Sequence, residues 1–264
     1  MPRKNLLHIQ TIQTEAIKSV FETLREIIQD CNIIANEEGL RILMMDSIGS
    51  TLVHLKFYAE NFDNYECDRE LTLGISVPAI YSLFKTISKN DVLTMRVEEG
   101  KEHLLIINFD NPDFKASEEI EYKMLDIDDS EVPVPDVEFD SICRLSSAYF
   151  QRILRSRQRT SDTISIGTAG NSMIFSSAGD YAKRRLVVGE TTSQTGDGIF
   201  FCRKTKDDEI VEGTFPIKSL LLFAKATSIH PSVEIFLKKD FPIIIQYPVA
   251  NLGTIKFALA PTQS

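Results

Sequence analysis

Residues Ser141 to Ser161 read SICRLSSAYFQRILRSRQRTS and carry five arginines and no acidic residue. Three of the arginines share one helical face at the i, i+3 and i+7 spacing: Arg152, Arg155 and Arg159. Three apolar residues fall on the opposite side of the same predicted helix: Phe150, Ile153 and Leu154. Such arginines either pair with carboxylates elsewhere on the chain or present guanidinium groups to phosphate, for which their permanent charge and forked donors are suited.

The chain around this basic stretch is acidic, because its 264 residues have a formal net charge of −9. Hydrophobic residues make up 43% and charged residues 25% of the chain, which is typical of a globular protein, and the length favours two domains. No tract approaches the roughly 20 apolar residues of a membrane span, and the N-terminal residues lack the apolar run of a signal peptide. The sequence therefore predicts an intracellular protein with no membrane partner, and any nucleic-acid binding must be confined to one segregated face.

No metal, cofactor or catalytic motif is visible in the sequence. The four cysteines form no CxxC pair, and they share no ligand spacing with the four histidines, so neither a zinc site nor a disulfide framework is predicted. A phosphate-binding loop, an HExxH motif and a nucleophile elbow are all missing, so we expect no cofactor and no enzymatic activity. The enzyme class that stays open is a metal-dependent nuclease that uses acidic pairs such as Asp128 and Asp129.

A change in composition divides the chain into two halves. Asp126 to Asp140 contains seven carboxylates and two prolines with no helical or strand period, which predicts an extended connecting segment. We therefore predict an N-terminal domain at residues 1–125, a connecting loop at 126–140 and a C-terminal domain at 141–264. The apolar residues inside the segment leave two interpretations open, a simple spacer or a strap that lies over an apolar groove.

The two halves repeat the same pattern of helices and strands. Thr14 to Gln29 is an amphipathic pattern with Thr14 as the predicted N-cap, and Val77 to Ser88 and Phe215 to Ser228 predict further helices that each begin near a proline. Four strands are predicted between the first and second helices, and VPAIYSLFKT in the first half matches FPIKSLLLFAKAT in the second. The match suggests a duplicated domain, because its spacing of roughly 140 residues exceeds solenoid periods of about 20 to 50.

Positive charge collects on the predicted helices. Three of the four carry lysine or arginine and no acid, and the first has a Lys/Arg face among its glutamates. Helices that share one cationic face, backed by sheet, would bind double-stranded DNA through its phosphates alone. Because no base-reading motif is present, we expect that binding to be indifferent to sequence.

Several segments resemble proliferating cell nuclear antigen, the eukaryotic sliding clamp: MDSIGSTLVHLKF, ENFDNYECDRELTLGISV and FPIIIQYPVANLGTIKFALAP. The resemblance extends from about Thr11 to Pro261. It implies an α+β DNA clamp fold with two similar domains, each with two helices packed on antiparallel sheets, and a homotrimeric ring whose helices line the central hole. The family's DNA-facing cations fall on Lys18, Arg25, Lys85, Lys89, Arg152, Arg155, Lys218 and Lys225, and Arg157 and Arg159 are additional cations.

The resemblance also implies a groove for short partner peptides under the connecting segment. Its lining falls on Met45, Leu52, Val132, Val134, Pro135, Phe139, Pro242, Ala258, Leu259 and Ala260. Gly49 and Ala258 replace residue types that are common in the family, and residues 169–171 lack the lysine that eukaryotic clamps present for modification. These departures suggest a divergent copy, such as one from a large DNA virus.

The implied partners are DNA polymerase, other clients with peptide motifs for this groove and a clamp-loader ATPase, in the nucleus or a viral replication compartment. Ring closure is implied to pair the edge strands at Glu118 to Leu125 and Lys183 to Glu190. The alternatives are a processivity factor that forms no ring and a checkpoint-type clamp subunit that assembles with different partners.

Overall fold

The computed structural model describes residues 4–46, 48–88, 90–128, 137–191, 198–204 and 209–262. The chain divides into two compact units, each with its own core. The first unit consists of Met1–Ser47, His54–Val132 and Val249–Ile255, and the second of Ile48–Val53, Pro133–Pro248 and Lys256–Ser264. Within the described ranges, no helix has the length and apolar character needed to span a membrane.

The first unit holds two helices, α1 (Thr14–Leu24) and α2 (Val77–Phe84). Its strands are β1 (Asn5–Thr11), β2 (Asp30–Asn36), β3 (Gly39–Met45), β4 (Thr51–Tyr58), β5 (Asn64–Cys67), β6 (Leu71–Ser76), β7 (Val92–Glu98), β8 (Leu104–Asn111) and β9 (Ala116–Lys123). Residues 51–53 of β4 are assigned to the second unit. Five of these form an antiparallel sheet in the order β5-β1-β7-β8-β9, and β2 pairs with both β3 and β6. The strand β9 is therefore the terminal strand of its sheet.

The second unit holds α3 (Ser147–Gln158) and α4 (Ile217–Phe223), which continues as a 3₁₀ turn over Ala224–Ser228. Its strands are β10 (Ser141–Ser146), β11 (Thr163–Ala169), β12 (Ser172–Ala178), β13 (Lys183–Gly189), β14 (Phe200–Arg203), β15 (Ile210–Pro216), β16 (Ser232–Leu237), β17 (Ile243–Val249) and β18 (Gly253–Leu259). Val249 of β17 and residues 253–255 of β18 are assigned to the first unit. Four strands form an antiparallel sheet in the order β13-β12-β11-β15, and β10 pairs with β14 and β16. The strand β13 is the terminal strand of that four-stranded sheet.

Each unit buries an aromatic contact beside its helices. In the first unit, Phe21 of α1 meets Phe84 of α2 edge to face, with ring centroids 5.2 Å apart. In the second unit, Phe223 of α4 stacks on Phe257 of β18 at 4.9 Å. Along β17 the side chains alternate between buried and half-buried, as a strand with one face toward a core requires. The two units therefore use the same construction principle, helices laid over antiparallel sheet.

The predicted helices are confirmed in position, but their ends differ from the prediction. The first helix ends at Leu24 because the backbone turns tighter there, with Ile27 N donating to Leu24 O. Its N-cap is Gln13, and Thr14 is the first helical residue, buried with no partner for its hydroxyl among the described residues. The prediction of Thr14 as N-cap was therefore wrong.

Two further differences concern strands. Five described strands, not four, lie between α1 and α2, because the short β5 pairs with β1 despite its polar sequence NYEC. Phe215, predicted to begin the last helix, belongs to β15, and Pro216 is the N-cap of α4. The predicted connecting segment Asp126 to Asp140 is described only at its ends, so the predicted domain boundaries stay a prediction.

Candidate nucleic-acid interface and partner surface

Two cations of the first unit lie on α1 or at its end, and both are held by neighbouring groups. Lys18 is 24% exposed, and its Nζ donates to Ile87 O at 3.2 Å and lies 3.7 Å from Glu15 Oε1. The guanidinium of Arg25 lies 4.1 Å from the centre of the Tyr81 ring. Neighbouring contacts therefore fix where both charges sit before any ligand arrives.

The other predicted cations of the first unit follow α2. Lys85 is the C-cap residue of α2 and its side chain is exposed. Positive charge is favourable at this end of a helix because the last carbonyl groups carry partial negative charge. Lys89 lies outside the described residues.

The arginines of α3 separate into an exposed set and a buried one. Arg152, Arg155 and Arg159 are exposed, whereas Phe150, Ile153 and Leu154 are at most 3% exposed. Ser146 caps the start of the helix, and its hydroxyl accepts a hydrogen bond from Tyr149 N at 3.4 Å. The predicted amphipathic helix is therefore confirmed, with three arginines on its solvent face.

Arg157 points in the other direction. It is 3% exposed, and its Nη1 donates to Ile153 O and to Ser156 Oγ, both at 3.1 Å. Burial, and then the positive charge of Arg184, lowers the pKa of Arg157. Arg157 therefore does not share the exposed face of the other α3 arginines.

The last helical region of the second unit contributes two lysines. Lys218 lies on α4 and Lys225 in the 3₁₀ turn that follows it, and both side chains are exposed. Gln151 of α3 donates to Ala224 O at 2.7 Å, which ties the two helical segments together. Within this unit, exposed cations thus lie on both helical segments.

The predicted partner groove is represented in the described residues by seven of its ten members. Met45, in the first unit, is 39% exposed, and in the second unit Leu52, Pro242 and Ala258 are partly exposed and Ala260 is exposed. Leu259 is 1% exposed because alternate residues of β18 point into the core, so its side chain is not available to a peptide. The remaining three predicted residues lie outside the described ranges: Val132, Val134 and Pro135.

Phe139 anchors the C-terminal end of the connecting segment to the second unit. Its ring meets Phe236 at 5.4 Å and Phe241 at 5.9 Å between centroids, both edge to face. Its carbonyl accepts a hydrogen bond from Arg203 Nη1 at 3.1 Å, and Lys238 Nζ donates to Glu138 O at 2.9 Å. This end of the segment is therefore fixed by aromatic packing and hydrogen bonds.

The two terminal strands carry opposite charges, a feature that our sequence reasoning did not use. β9 contains three glutamates and β13 begins with three cations: Glu118, Glu119, Glu121, Lys183, Arg184 and Arg185. The signal was present in the letters ASEEIEYK and KRRLVVG. The charges become relevant to subunit contacts only in the structure, which places both strands at the ends of their sheets.

The described part of the chain was compared with the requirements of a metal centre and with the state of its cysteines. Among those residues, no group of three or more His, Cys, Asp or Glu side chains could hold a metal ion. The four cysteines are free thiols, and Cys31 and Cys143 are buried.

Comparisons with known proteins identify the family. Residues 6–132 match the family model for the N-terminal domain of proliferating cell nuclear antigen, and residues 133–262 match that for its C-terminal domain. The chain is 32% identical over 263 residues, 98% of both chains, to "Probable DNA polymerase sliding clamp 1" of Paramecium bursaria Chlorella virus 1. The chain therefore belongs to the proliferating cell nuclear antigen family and is a DNA polymerase sliding clamp.

Proposed function

We propose that the exposed cations of the helices are the DNA contacts of this sliding clamp. The observation that carries the proposal is the solvent face of α3, where Arg152, Arg155 and Arg159 stand together in a chain of net charge −9. In the second unit the exposed Lys218 and Lys225 add to this set, and in the first unit we include the exposed Lys85 and the half-buried Lys18 and Arg25. Lys89 belongs to the proposal through the resemblance alone.

The chemistry of these contacts suits sliding. Arginine and lysine attract phosphate oxygens without reading bases, so the binding energy changes little from one position on the duplex to the next. A ring closed around DNA does not need high affinity, because the link is topological. The acidic charge elsewhere on the chain limits binding of DNA to other surfaces.

The proposed partner surface accepts peptide segments of DNA polymerase and other clients. Its support is the exposure of Met45, Leu52, Pro242, Ala258 and Ala260, together with the anchored Phe139. The resemblance groups these residues, and exposed apolar surface is typical of a site that binds another chain. Leu259 is left out of the proposed lining because it is buried.

The family implies a trimer, and we propose that it closes through the free edges of β9 and β13. A clamp-loader ATPase would then be needed to open the ring on DNA, in the nucleus or a viral replication compartment. Proteins of this family act as scaffolds, so the catalytic step of synthesis belongs to the bound polymerase.

Primer extension on a long singly primed template tests the proposal. Wild-type clamp should lengthen the products of its polymerase, and replacing Arg152, Arg155 and Arg159 together by alanine should shorten them. The matched control is Arg144→Ala, because Arg144 is an exposed strand arginine paired with Glu234 at 2.5 Å. The assignment of these residues would be overturned if the triple variant and the wild type gave products of equal length. The comparison requires that both proteins have the same mass in solution.

A further inference from the structure

The chain is held against β6 of the first unit just where the connecting segment begins. Leu125 forms an isolated antiparallel bridge with Gly74 of β6, and its N–H donates to Gly74 O at 2.9 Å. One residue earlier, Met124 N donates to His103 O at 3.0 Å. β6 is the terminal strand of its sheet, so the chain that leaves β9 adds one bridge to an edge that would otherwise be open there.

This bridge depends on the absence of a side chain at position 74. A Cβ atom added to Gly74 would overlap Leu125 O and would lie 2.9 Å from Leu125 C, well inside van der Waals contact. The backbone of Leu125 therefore occupies the space that a side chain would fill. A glycine inside a strand is typical of such a close approach of a second backbone.

Asn32 of β2 supplies a second contact to the same end of the connecting segment. It lies directly opposite Gly74 in the register of β2 and β6. Its Nδ2 donates to Ile127 O at 3.1 Å. Because the glycine leaves its face open, the amide of Asn32 reaches past β6 to a carbonyl two residues beyond the Leu125 bridge. Two contacts thus fix the N-terminal end of the connecting segment to the first unit.

The stability of the core does not by itself account for an asparagine at this position. Asn32 is half-buried, and its Oδ1 is buried with no hydrogen-bond partner among the residues that the structure describes. An unpaired buried carbonyl oxygen costs free energy that an apolar side chain would avoid. The amide is therefore best explained by the hydrogen bond that its Nδ2 donates to Ile127.

We propose that Asn32 and Gly74 are positioning residues for the partner surface, because they fix one end of the connecting segment as Phe139 fixes the other. This role rests on the partner surface proposed above and adds two residues that act through the segment. Two fixed ends shorten the span of chain that must be ordered when a client peptide binds. Ordering that is complete before binding does not reduce the affinity.

The isosteric substitution Asn32→Asp tests this role, because it replaces the donating Nδ2 by an oxygen that repels Ile127 O. The probe is a fluorescent synthetic peptide with one aliphatic and two aromatic side chains, the anchors that the family resemblance implies. We expect the peptide to bind this variant about fivefold more weakly than the wild type, the scale of one lost hydrogen bond. Gly74→Ala should weaken binding in the same direction.

Two further variants keep the test decisive. Asn32→Ala removes the donor without adding a charge, so it should also weaken peptide binding, and it replaces the other variants if they do not fold. The matched control is Asn36→Asp, the same change on the same strand, because Asn36 Nδ2 faces Glu70 Oε2 at 3.4 Å and not the connecting segment. This control should bind the peptide as the wild type does.

Hydrogen exchange separates positioning from a general loss of stability. The N–H of Leu125 is protected by Gly74 O, so mass spectrometry of Asn32→Asp should show faster exchange in the fragment of residues 120–128. Exchange in α3 should stay as in the wild type, because that helix belongs to the other unit. The solution mass and the affinity for a DNA duplex should also be unchanged.

The outcomes distinguish this role from the proposed function. A wild type that does not bind the peptide would contradict the partner surface, and the positioning role with it. If the wild type binds and the Asn32 variants bind equally well, the partner surface stands and the positioning role is overturned. Weaker peptide binding with unchanged exchange at residues 120–128 would overturn it too, since the effect would not pass through the anchored end.

Discussion

The guanidinium of Arg25 rests 4.1 Å from the centre of the Tyr81 ring, so a cation at the end of α1 is placed by an aromatic residue of α2. The Tyr81 hydroxyl donates to Glu22 Oε1 at 3.2 Å, which ties the ring back to α1. The side chain of Arg25 is 38% exposed, so it is partly fixed by its neighbours and partly open to solvent. One residue thus links packing within the first unit to the proposed DNA surface.

Replacing Arg25 should therefore weaken both DNA binding and the stability of the fold. Replacing a free surface cation should weaken DNA binding alone. We expect Arg25→Ala to weaken duplex binding and to lower the free energy of unfolding by ~1 kcal/mol, the scale of a partly desolvated cation–π contact. Lys85→Ala should weaken duplex binding to a similar degree with no measurable loss of stability. Thermal unfolding and a duplex titration on both variants check this, and an Arg25→Ala variant with unchanged unfolding would contradict the structural part.

The α3 arginines should determine how strongly DNA binding depends on salt. Removing one cation that touches a phosphate should reduce the slope of log affinity against log salt by about 1. Arg152→Ala and Arg155→Ala should each show that reduction uniformly across DNA sequences, whereas Arg144→Ala, whose charge is paired with Glu234, should not. A reduction that depended on base sequence would contradict phosphate-only binding.

Phe139 should matter both for stability and for partner binding. Phe139→Ala removes the edge-to-face contacts with Phe236 and Phe241 and should lower the free energy of unfolding by about 2 kcal/mol. It should also weaken binding of a client peptide, because the C-terminal end of the connecting segment is no longer anchored. Phe139→Leu, which keeps most of the apolar volume, is the control. If the alanine variant binds the peptide as tightly as the wild type, Phe139 does not contribute to the partner surface.

Thiol reactivity should follow burial. Cys202 is exposed and Cys67 partly exposed, whereas Cys31 and Cys143 are buried, and burial raises the pKa of Cys31 to about 12. Because the thiolate is the reactive form, Cys202 should be labelled first and faster as pH rises from about 7 to about 9. Over that range Cys31 stays protonated and should react only after unfolding. Mass spectrometry of labelled peptides checks the order, and rapid labelling of Cys31 in the native protein would contradict the core of the first unit.

The sequence predicts the helical positions and the strand-rich halves well because both depend on local periodicity. Spacing alone places Arg152, Arg155 and Arg159 on one face. The inward direction of Arg157 was also readable, since it continues the apolar series of Phe150 and Leu154 at i, i+3 or i+4 spacing, but its charge obscured the pattern. Helix ends were less predictable, because Thr14 suits an N-cap chemically while the chain geometry gives that place to Gln13.

The partner surface and the edge strands depend on long-range pairing, which local patterns do not determine. Leu259 was grouped with its neighbours Ala258 and Ala260, and only the register of β18 shows that its side chain turns inward. The charges of β9 and β13 were visible from the start. Their relationship emerged once each strand was found at the end of its sheet.

Retention on circular DNA is the measurement that tests encirclement most directly. The clamp would be loaded onto a singly nicked plasmid by its clamp loader and ATP, and then separated from free protein by gel filtration at high salt. A trimer has a mass of three times 29.8 kDa, about 89 kDa. The account predicts that clamp stays with the circle and is lost once a restriction enzyme linearises it, because a sliding ring leaves at a free end. Equal retention on circular and linear DNA would contradict the account.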